Sequence, residues 1–375
     1  MTAIDDRPAR LGVRTSRWTR LMADPAFQAR CARIPLLRRL VRREGEAMFD
    51  LVAGFCHSQI LQAFVRFDIP AQLLDAPSPT AALAQRASVP LRNMTLLLNG
   101  AASLGLLRQR RGLWQLTTRG AALAGVPGLQ QMIAHHDVLY RDLSDPVAFF
   151  RDEVTTELAD FWPYVFGAGG VADPAVAQTY SQLMADSQSL VAQDTLDAVD
   201  LGRARCIMDI GGGTGAFLAA VGARHAAPQL MLFDLPAVVP AARQRFAQAG
   251  LLARTIIHAG SFRDDPLPEG ADVITLVRVL YDHADDTVLA LLRAVRAALP
   301  RGGRIIVSEP MTGGARPTRA GDAYFAVYCQ AMRTGAARSP AQVSALLVQA
   351  GFGDVRIPRS ARLFVTSVVT GVNQS

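Results

Sequence analysis

The residues of this 375-residue chain best placed to do chemistry gather around one glycine cluster. Gly211, Gly212, Gly213 and Gly215 follow an apolar run, Cys206 to Ile210, that reads as a buried strand, and precede a helical run from Ala216 to Val221. A strand, a glycine turn and a helix N-terminus form a cradle in which bare backbone lets a ligand approach and the helix end offers N–H donors. The spacing Gly211-x-Gly213-x-x-Ala216 also fits the dinucleotide fingerprint, so the loop alone leaves its ligand open.

The neighbouring acids narrow the choice. Asp209 sits inside the strand, two residues before the first glycine, where a dinucleotide has little use for a buried charge. A ligand carrying a cation near the turn would give that acid a partner. Asp234 closes the next strand and can accept from ribose hydroxyls, while Gly260-Ser261-Phe262 after the third strand offers a ring on which an adenine could lie. Nothing resembles the second half of a nicotinamide site. S-adenosylmethionine, with a sulfonium, a ribose and an adenine but no phosphate, fits this set better.

Positioning those residues takes alternating strands and helices. Strands are expected at Leu230–Phe233, Thr255–His258, Val273–Val277 and Arg304–Val307, with helices over Ala237–Ala249, Asp286–Leu299 and Ser339–Gly351. Two closing strands, Val355–Pro358 and Arg362–Thr370, are expected to join tightly and so to pair antiparallel. This alternation implies an α/β fold, a Rossmann-like doubly wound parallel sheet with ligands at the carboxyl ends of its strands.

The N-terminal half reads differently. Helical stretches over Leu51–Leu74, Thr80–Ala87 and Leu91–Leu104 precede a hairpin over Leu106–Thr117 that turns at Arg111-Gly112, a mostly helical winged-helix pattern. Its second helix carries Met94, Leu96, Leu97 and Leu98, too apolar to read bases, which favours packing or dimerisation over DNA binding. Ala121 to Tyr180 is less regular, and its aromatic cluster, with Phe161 and Trp162, could line an apolar substrate pocket or form an ordinary core seam. Three regions are expected: a basic amphipathic extension over 1–50, a winged-helix-like domain over 51–165, and the cofactor domain over 166–375.

Composition adds exclusions. Half of the residues are hydrophobic and 19% are charged, which indicates a well-buried globular chain. All 39 strongly basic residues are arginine, so a P-loop lysine, a Schiff-base lysine and a pyridoxal site are excluded. The four scattered cysteines suit reduced thiols in a cytoplasm, not a disulfide or metal framework. No uninterrupted apolar run reaches the roughly 18–20 residues that span a bilayer. The net charge of +7 is concentrated at the start, where eleven arginines from Arg7 to Arg43 face only Asp24. Interleaved with Trp18, Phe27, Leu36, Leu37 and Leu40, and broken near Pro35, that stretch could lie on the anionic surface of the inner membrane or pack on a partner subunit.

As a whole the chain resembles the class I methyltransferases, and within them the O-methyltransferases of the plant caffeate and bacterial carotenoid type. Asp209-x-Gly-Gly-Gly-Thr-Gly215, Phe233-Asp-Leu-Pro236, Gly260-Ser-Phe262, Arg278-x-Leu-Tyr-Asp282 and Glu309-Pro-Met311 stand in that family's order. The arginine-rich leader and Arg278-Val-Leu-Tyr-Asp-His283 look most like the bacterial hydroxyneurosporene (demethylspheroidene) O-methyltransferases. The resemblance implies a seven-stranded sheet, a dimerising N-terminal domain and S-adenosylmethionine held by Asp209, Gly211, Gly213, Asp234, Ser261, Phe262 and Arg278. It puts Met184 near the substrate, with Ser187 close by.

Departures fall at the base. Plant-type members carry a histidine where this chain has Tyr281, with His283 two residues on; Glu309 matches the glutamate that orients that histidine, and a second acid is replaced by Ala337. A tertiary alcohol need not ionise before it attacks, so a nearby group can take its proton late. Tyr281 is expected to hydrogen-bond the acceptor hydroxyl and His283 to take the proton. The expected reaction is methylation of the hydroxyl of a 1-hydroxy carotenoid. Alternatives are O- or C-methylation of another apolar aromatic, polyketide or chlorin substrate, and a winged-helix regulator that only senses the cofactor.

Overall fold

The computed structural model describes residues 16–160 and 187–375, and the chain divides after Thr117 into two units. The first opens with two short helices, α1 (Arg17–Met22) and α2 (Pro25–Arg33), whose first turns are capped by the side chains of Ser16 and Asp24. Pro35 then starts α3 (Pro35–Arg66). The expected break near Pro35 is present, but beyond it one helix of 32 residues continues, and position 50 falls inside it. By length and composition alone α3 could cross a membrane, although Asp50, His57, Gln59 and Gln62 interrupt its apolar stretch. Its C-terminal end reaches the core of the unit: Phe64 is fully buried, and Ile60 Cδ1 lies 2.8 Å from where a Cβ on Gly100 would stand.

Asp68, at φ 53°, turns the chain into α4 (Ile69–Asp75). There follow β1 (Ser78–Pro79), α5 (Thr80–Arg86), α6 (Leu91–Ser103), β2 (Leu107–Arg110) and β3 (Leu113–Leu116). Arg111 and Gly112 both take positive φ, the backbone that a two-residue hairpin turn requires, so the turn sits where the sequence put it. β1 adds a third strand beside β3, completing a winged-helix pattern in which α6 buries Met94, Leu97, Leu98 and Ala101.

The second unit begins with α7 (Thr118–Gly125), α8 (Leu129–Asp142), α9 (Pro146–Phe150) and α10 (Glu157–Asp160), so part of the stretch read as irregular is helical. Residues 187–198 form α11. The alternating region follows: β4 (Cys206–Ile210), α12 (Ala216–Arg224), β5 (Gln229–Asp234), α13 (Val239–Gln248), β6 (Thr255–Ala259), β7 (Val273–Val277), α14 (Asp285–Ala298) and β8 (Arg304–Glu309). A π-helix (Arg319–Phe325), α15 (Ala326–Met332), α16 (Pro340–Gln349), β9 (Phe352–Arg356) and β10 (Ser367–Asn373) close the chain.

These strands form one seven-stranded sheet in the order β6-β5-β4-β7-β8-β10-β9, all parallel except β10, which pairs antiparallel with both β8 and β9. The last two strands are antiparallel as expected. They are not tightly joined: residues 357–366 separate them, and β10 inserts between β8 and β9. Both faces are covered, and strand alternation decides which residue faces which side. Met208, Ile210, Ile274, Leu276, Ile305 and Val307 pack with Val288, Leu291 and Leu292 of α14 and with Val343 and Leu347 of α16. Ile207, Leu230, Leu232, Val273 and Ile306 pack with Phe217, Val221 and Phe246 of α12 and α13. The strand order reverses between β4 and β7, so the crevice at their carboxyl ends is where ligands of such sheets bind.

Candidate active site

The glycine loop leaves β4 at that crevice. Asp209 is 1% exposed, and its Oδ1 accepts the Thr275 hydroxyl of β7 at 2.6 Å. Its Oδ2 is buried with no hydrogen-bond partner. A Cβ on Gly212 would stand 2.5 Å from that oxygen and 2.6 Å from Leu232 Cδ1, so only glycine lets the loop lie flat over the carboxylate. Gly211 and Gly213 both take positive φ around it. Burial raises the Asp209 carboxyl to about 7, the Thr275 hydroxyl opposing this and Asp234 adding to it. A buried carboxylate with one unsatisfied oxygen beneath a bare backbone loop suits a cationic ligand group.

Asp234 ends β5 and is fixed by two backbone donors, Gly213 N at 2.6 Å and Leu235 N at 2.7 Å. Burial nevertheless pushes its carboxyl up. After β6, the Ser261 backbone N–H donates to Asp265 Oδ2 at 2.8 Å, an acid that sequence reasoning did not single out. It anchors the turn that carries Ser261 and Phe262. Phe262 packs edge-on against His283, ring centroids 5.2 Å apart. Arg263 reaches the same imidazole, Nη2 to Nδ1, at 3.1 Å. Burial first, then the charges of Arg263 and Arg338, lowers the His283 pKa to about 4. His283 therefore sits on the Phe262 side of the crevice as a neutral, weakly basic ring.

The segment from Arg278 to His283 is held by its backbone. Glu309 Oε2, at the end of β8, accepts Leu280 N at 3.0 Å and Tyr281 N at 3.3 Å. Arg338, only 3% exposed, donates to the carbonyls of Leu280 and His283 at 2.9 and 2.8 Å and pairs with Asp285. Glu309 thus positions the Tyr281 segment through the main chain, and no bond from it to His283 is among the described contacts. Arg278 takes φ 60° and sends Nη1 to the Ser187 hydroxyl at 2.9 Å. Tyr281 is buried; burial and Asp282 raise its phenol, while Arg278, hydrogen-bonded to it, opposes. Asp282 is pushed well above the carboxylate range by burial and by Glu309.

Two pairs facing this segment were not legible from spacing. His136 Nε2 of α8 lies 2.7 Å from Tyr324 Oη on the π-helix, and His135 Nε2 lies 3.0 Å from Tyr328 Oη on α15. Burial pushes both the Tyr324 and the Tyr328 phenol well up, the Arg278 charge opposing in each, and Tyr324, Tyr281 and Asp282 add to the rise at Tyr328. The π-helix is fixed at its start by Asp322, whose Oδ2 accepts Gly313 N and Thr318 N, both at 2.7 Å. Such π segments are frequent at functional sites. The expected substrate residues Phe161, Trp162 and Met184 lie outside the described residues. No cluster of metal-ligating side chains occurs among the described residues.

A family model described as an O-methyltransferase domain matches residues 140–353. A protein of Cereibacter sphaeroides named demethylspheroidene O-methyltransferase is 54% identical over 98% of each chain. One of the same name from Rhodobacter capsulatus is 51% identical over 95% of this chain and 89% of its own. The crystal structure of human N-acetylserotonin methyltransferase in complex with SAM, 24% identical, shares the fold at a TM-score of 0.73, covering 88% of this chain and 98% of that one.

Proposed function

The chain belongs to the O-methyltransferase family, and on that premise we propose that it methylates the tertiary hydroxyl of a 1-hydroxy carotenoid, of the demethylspheroidene or hydroxyneurosporene type, in methoxy-carotenoid biosynthesis. One observation carries the substrate: the 54% identity that runs through nearly the whole of both chains to a protein named for it. The cofactor, S-adenosyl-L-methionine, supplies a methyl carbon on a sulfonium that a neutral oxygen can attack.

The rest falls to the chain's own residues. The unpartnered Asp209 oxygen beneath Gly211–Gly213 offers its charge to the cofactor's cationic end. Asp234, with two N–H donors already bound, keeps lone pairs for ribose hydroxyls, and Ser261 and Phe262 offer an edge and a ring to the adenine. Arg278 braces Tyr281 against Ser187, leaving the phenolic O–H to donate to the acceptor oxygen. Orientation in a dry pocket is worth up to about 7–11 kcal/mol. That is the main lever for an alcohol too weak to ionise first.

The exposed apolar faces have two different occupants in this reading. Val52 and Phe55 of α3 and Leu96 of α6, each more than 60% exposed, pack against a second copy of the chain. The leader turns its arginines, from Arg17 to Arg43, and Trp18, Leu36 and Leu40 toward anionic headgroups, where a polyene substrate dissolves. The protein is then cytoplasmic and peripheral to the membrane.

Labelled S-adenosylmethionine incubated with the protein and a membrane pigment extract tests the reaction. Label in a methoxy carotenoid supports it; label in chlorins or aromatics, or none, overturns it.

A further inference from the structure

We propose that Tyr324 is the group that takes the acceptor's proton, with His136 behind it as its positioning partner and the proton's destination. This rests on the O-methylation reading and names the base that the family's histidine position, here Tyr281, lacks. Three observations converge. His283 is already engaged, its Nδ1 by Arg263 and its ring by Phe262. Tyr324 lies on a π-helix that follows β8, packed so closely on the β8 exit that a Cβ on Gly321 would stand 2.3 Å from the Met311 carbonyl oxygen. The 2.7 Å contact to His136 joins that helix to α8, giving the phenol a basic nitrogen as its partner.

The pairing gives the two tyrosines opposite duties. The Tyr281 oxygen is occupied by Arg278, so its O–H points to the acceptor oxygen as donor. Tyr324 donates its own proton to His136 Nε2, so its oxygen lone pair faces the acceptor as receiver. As the hydroxyl oxygen bonds the methyl carbon, that carbon's bond to sulfur breaks and sulfur keeps the electron pair. The hydroxyl proton passes to Tyr324 Oη, the phenolic proton passes to His136 Nε2, and the imidazolium releases it to water. A weak base suffices, because the hydroxyl turns strongly acidic only as the new bond forms. Burial, with His135 beside it, holds His136 at about 4, so the ring is neutral and ready at physiological pH. The groups around it are His135 and Tyr140 on its own helix and Tyr324 opposite, with Arg278 beyond the phenol. The second pair, His135 with Tyr328, backs the same wall.

The test separates this from a structural role. In ring-15N-histidine protein, His136 Nε2 should resonate as an unprotonated, hydrogen-bonded nitrogen. With S-adenosylhomocysteine bound, that signal should move when a hydroxylated polyene is added and stay still with the methoxy product. Tyr324→Phe and His136→Gln should each lower kcat about 100-fold, the scale of lost acid–base help, with cofactor Kd within twofold of wild type. Protonated Nε2, a signal blind to the hydroxyl, or kcat within threefold in both variants overturns the assignment. The nitrogen signal decides even if a variant fails to fold. A wild-type chain that methylates no hydroxylated polyene overturns the proposed function, and this assignment with it; an active wild type with unaffected variants overturns this assignment alone.

Discussion

Glu309 Oε2 accepts the backbone N–H of Leu280 at 3.0 Å, across the carboxyl ends of β8 and β7. The bond is buried, and the same carboxylate also accepts Tyr281 N at 3.3 Å. The acid therefore sets where the Tyr281 ring starts, not what an imidazole does. Glu309→Ala should leave two buried N–H groups without an acceptor and lose about 1–3 kcal/mol for each. Glu309→Gln keeps an acceptor oxygen and should lose much less. Urea denaturation with kcat measured on the same preparations checks this; an alanine variant as stable as wild type contradicts it.

Gly212→Ala should weaken cofactor binding at least tenfold. The added Cβ would meet both Asp209 Oδ2 and Leu232 Cδ1, so the loop must lift. Overpacking of this kind costs about 1–3 kcal/mol. Calorimetric titration with S-adenosylmethionine reads it, and an unchanged Kd would show that the loop does not carry the ligand.

Asp209 makes stability depend on pH. Its carboxyl rises from an ordinary 3.8 to about 7 on burial, so the folded chain holds this proton more tightly than the unfolded one. Its contribution is complete below pH 3.8 and is lost as pH rises through about 7. Without methyl donor, stability should fall over that window by on the order of 1–4 kcal/mol, and Asp209→Asn should flatten the fall. Saturating donor should flatten it too, since a cation beside the carboxylate favours the charged form. A wild-type profile parallel to that of the asparagine variant removes Asp209 from this role.

Tyr281→Phe and His283→Ala should fail in different ways. The first removes a donor to the acceptor oxygen and should lower kcat about 10- to 100-fold with cofactor affinity kept. The second removes a ring packed on Phe262 and should raise the KM for the cofactor several-fold while kcat changes little. Equal losses of kcat in both would return His283 to the proton's path.

The leader should bind anionic vesicles. Sedimentation with phosphatidylglycerol vesicles should pull the protein down at low salt and release it as salt screens the arginines. Replacing Arg38, Arg39, Arg42 and Arg43 by Gln should weaken binding at least tenfold; equal binding to neutral vesicles would point to the apolar residues alone.

The cofactor side was legible because its signals are local. The boundaries of β4 and β7 coincide with the expected strands, and Asp209 and Asp234 lie in the last two residues of β4 and β5, beside turns that the sequence itself marks. The acceptor side was not. His136 and Tyr324 are 188 residues apart, and on their own helices each reads as one more half-buried position. Arg338, next to the Ala337 that replaces the second acid, proves to hold three backbone carbonyls at distances that only the fold sets. The closing strands misled because their composition runs on through residues 362–366, which the chain uses as connection before β10 begins at Ser367.

The most direct measurement supplies purified protein with methyl-labelled S-adenosylmethionine and a purified 1-hydroxy carotenoid, beside a phenolic and a chlorin competitor, and follows label by chromatography and mass spectrometry. The expected product is a methyl ether at the tertiary hydroxyl, with the competitors unlabelled. Label on a competitor, on carbon, or on nothing would contradict it.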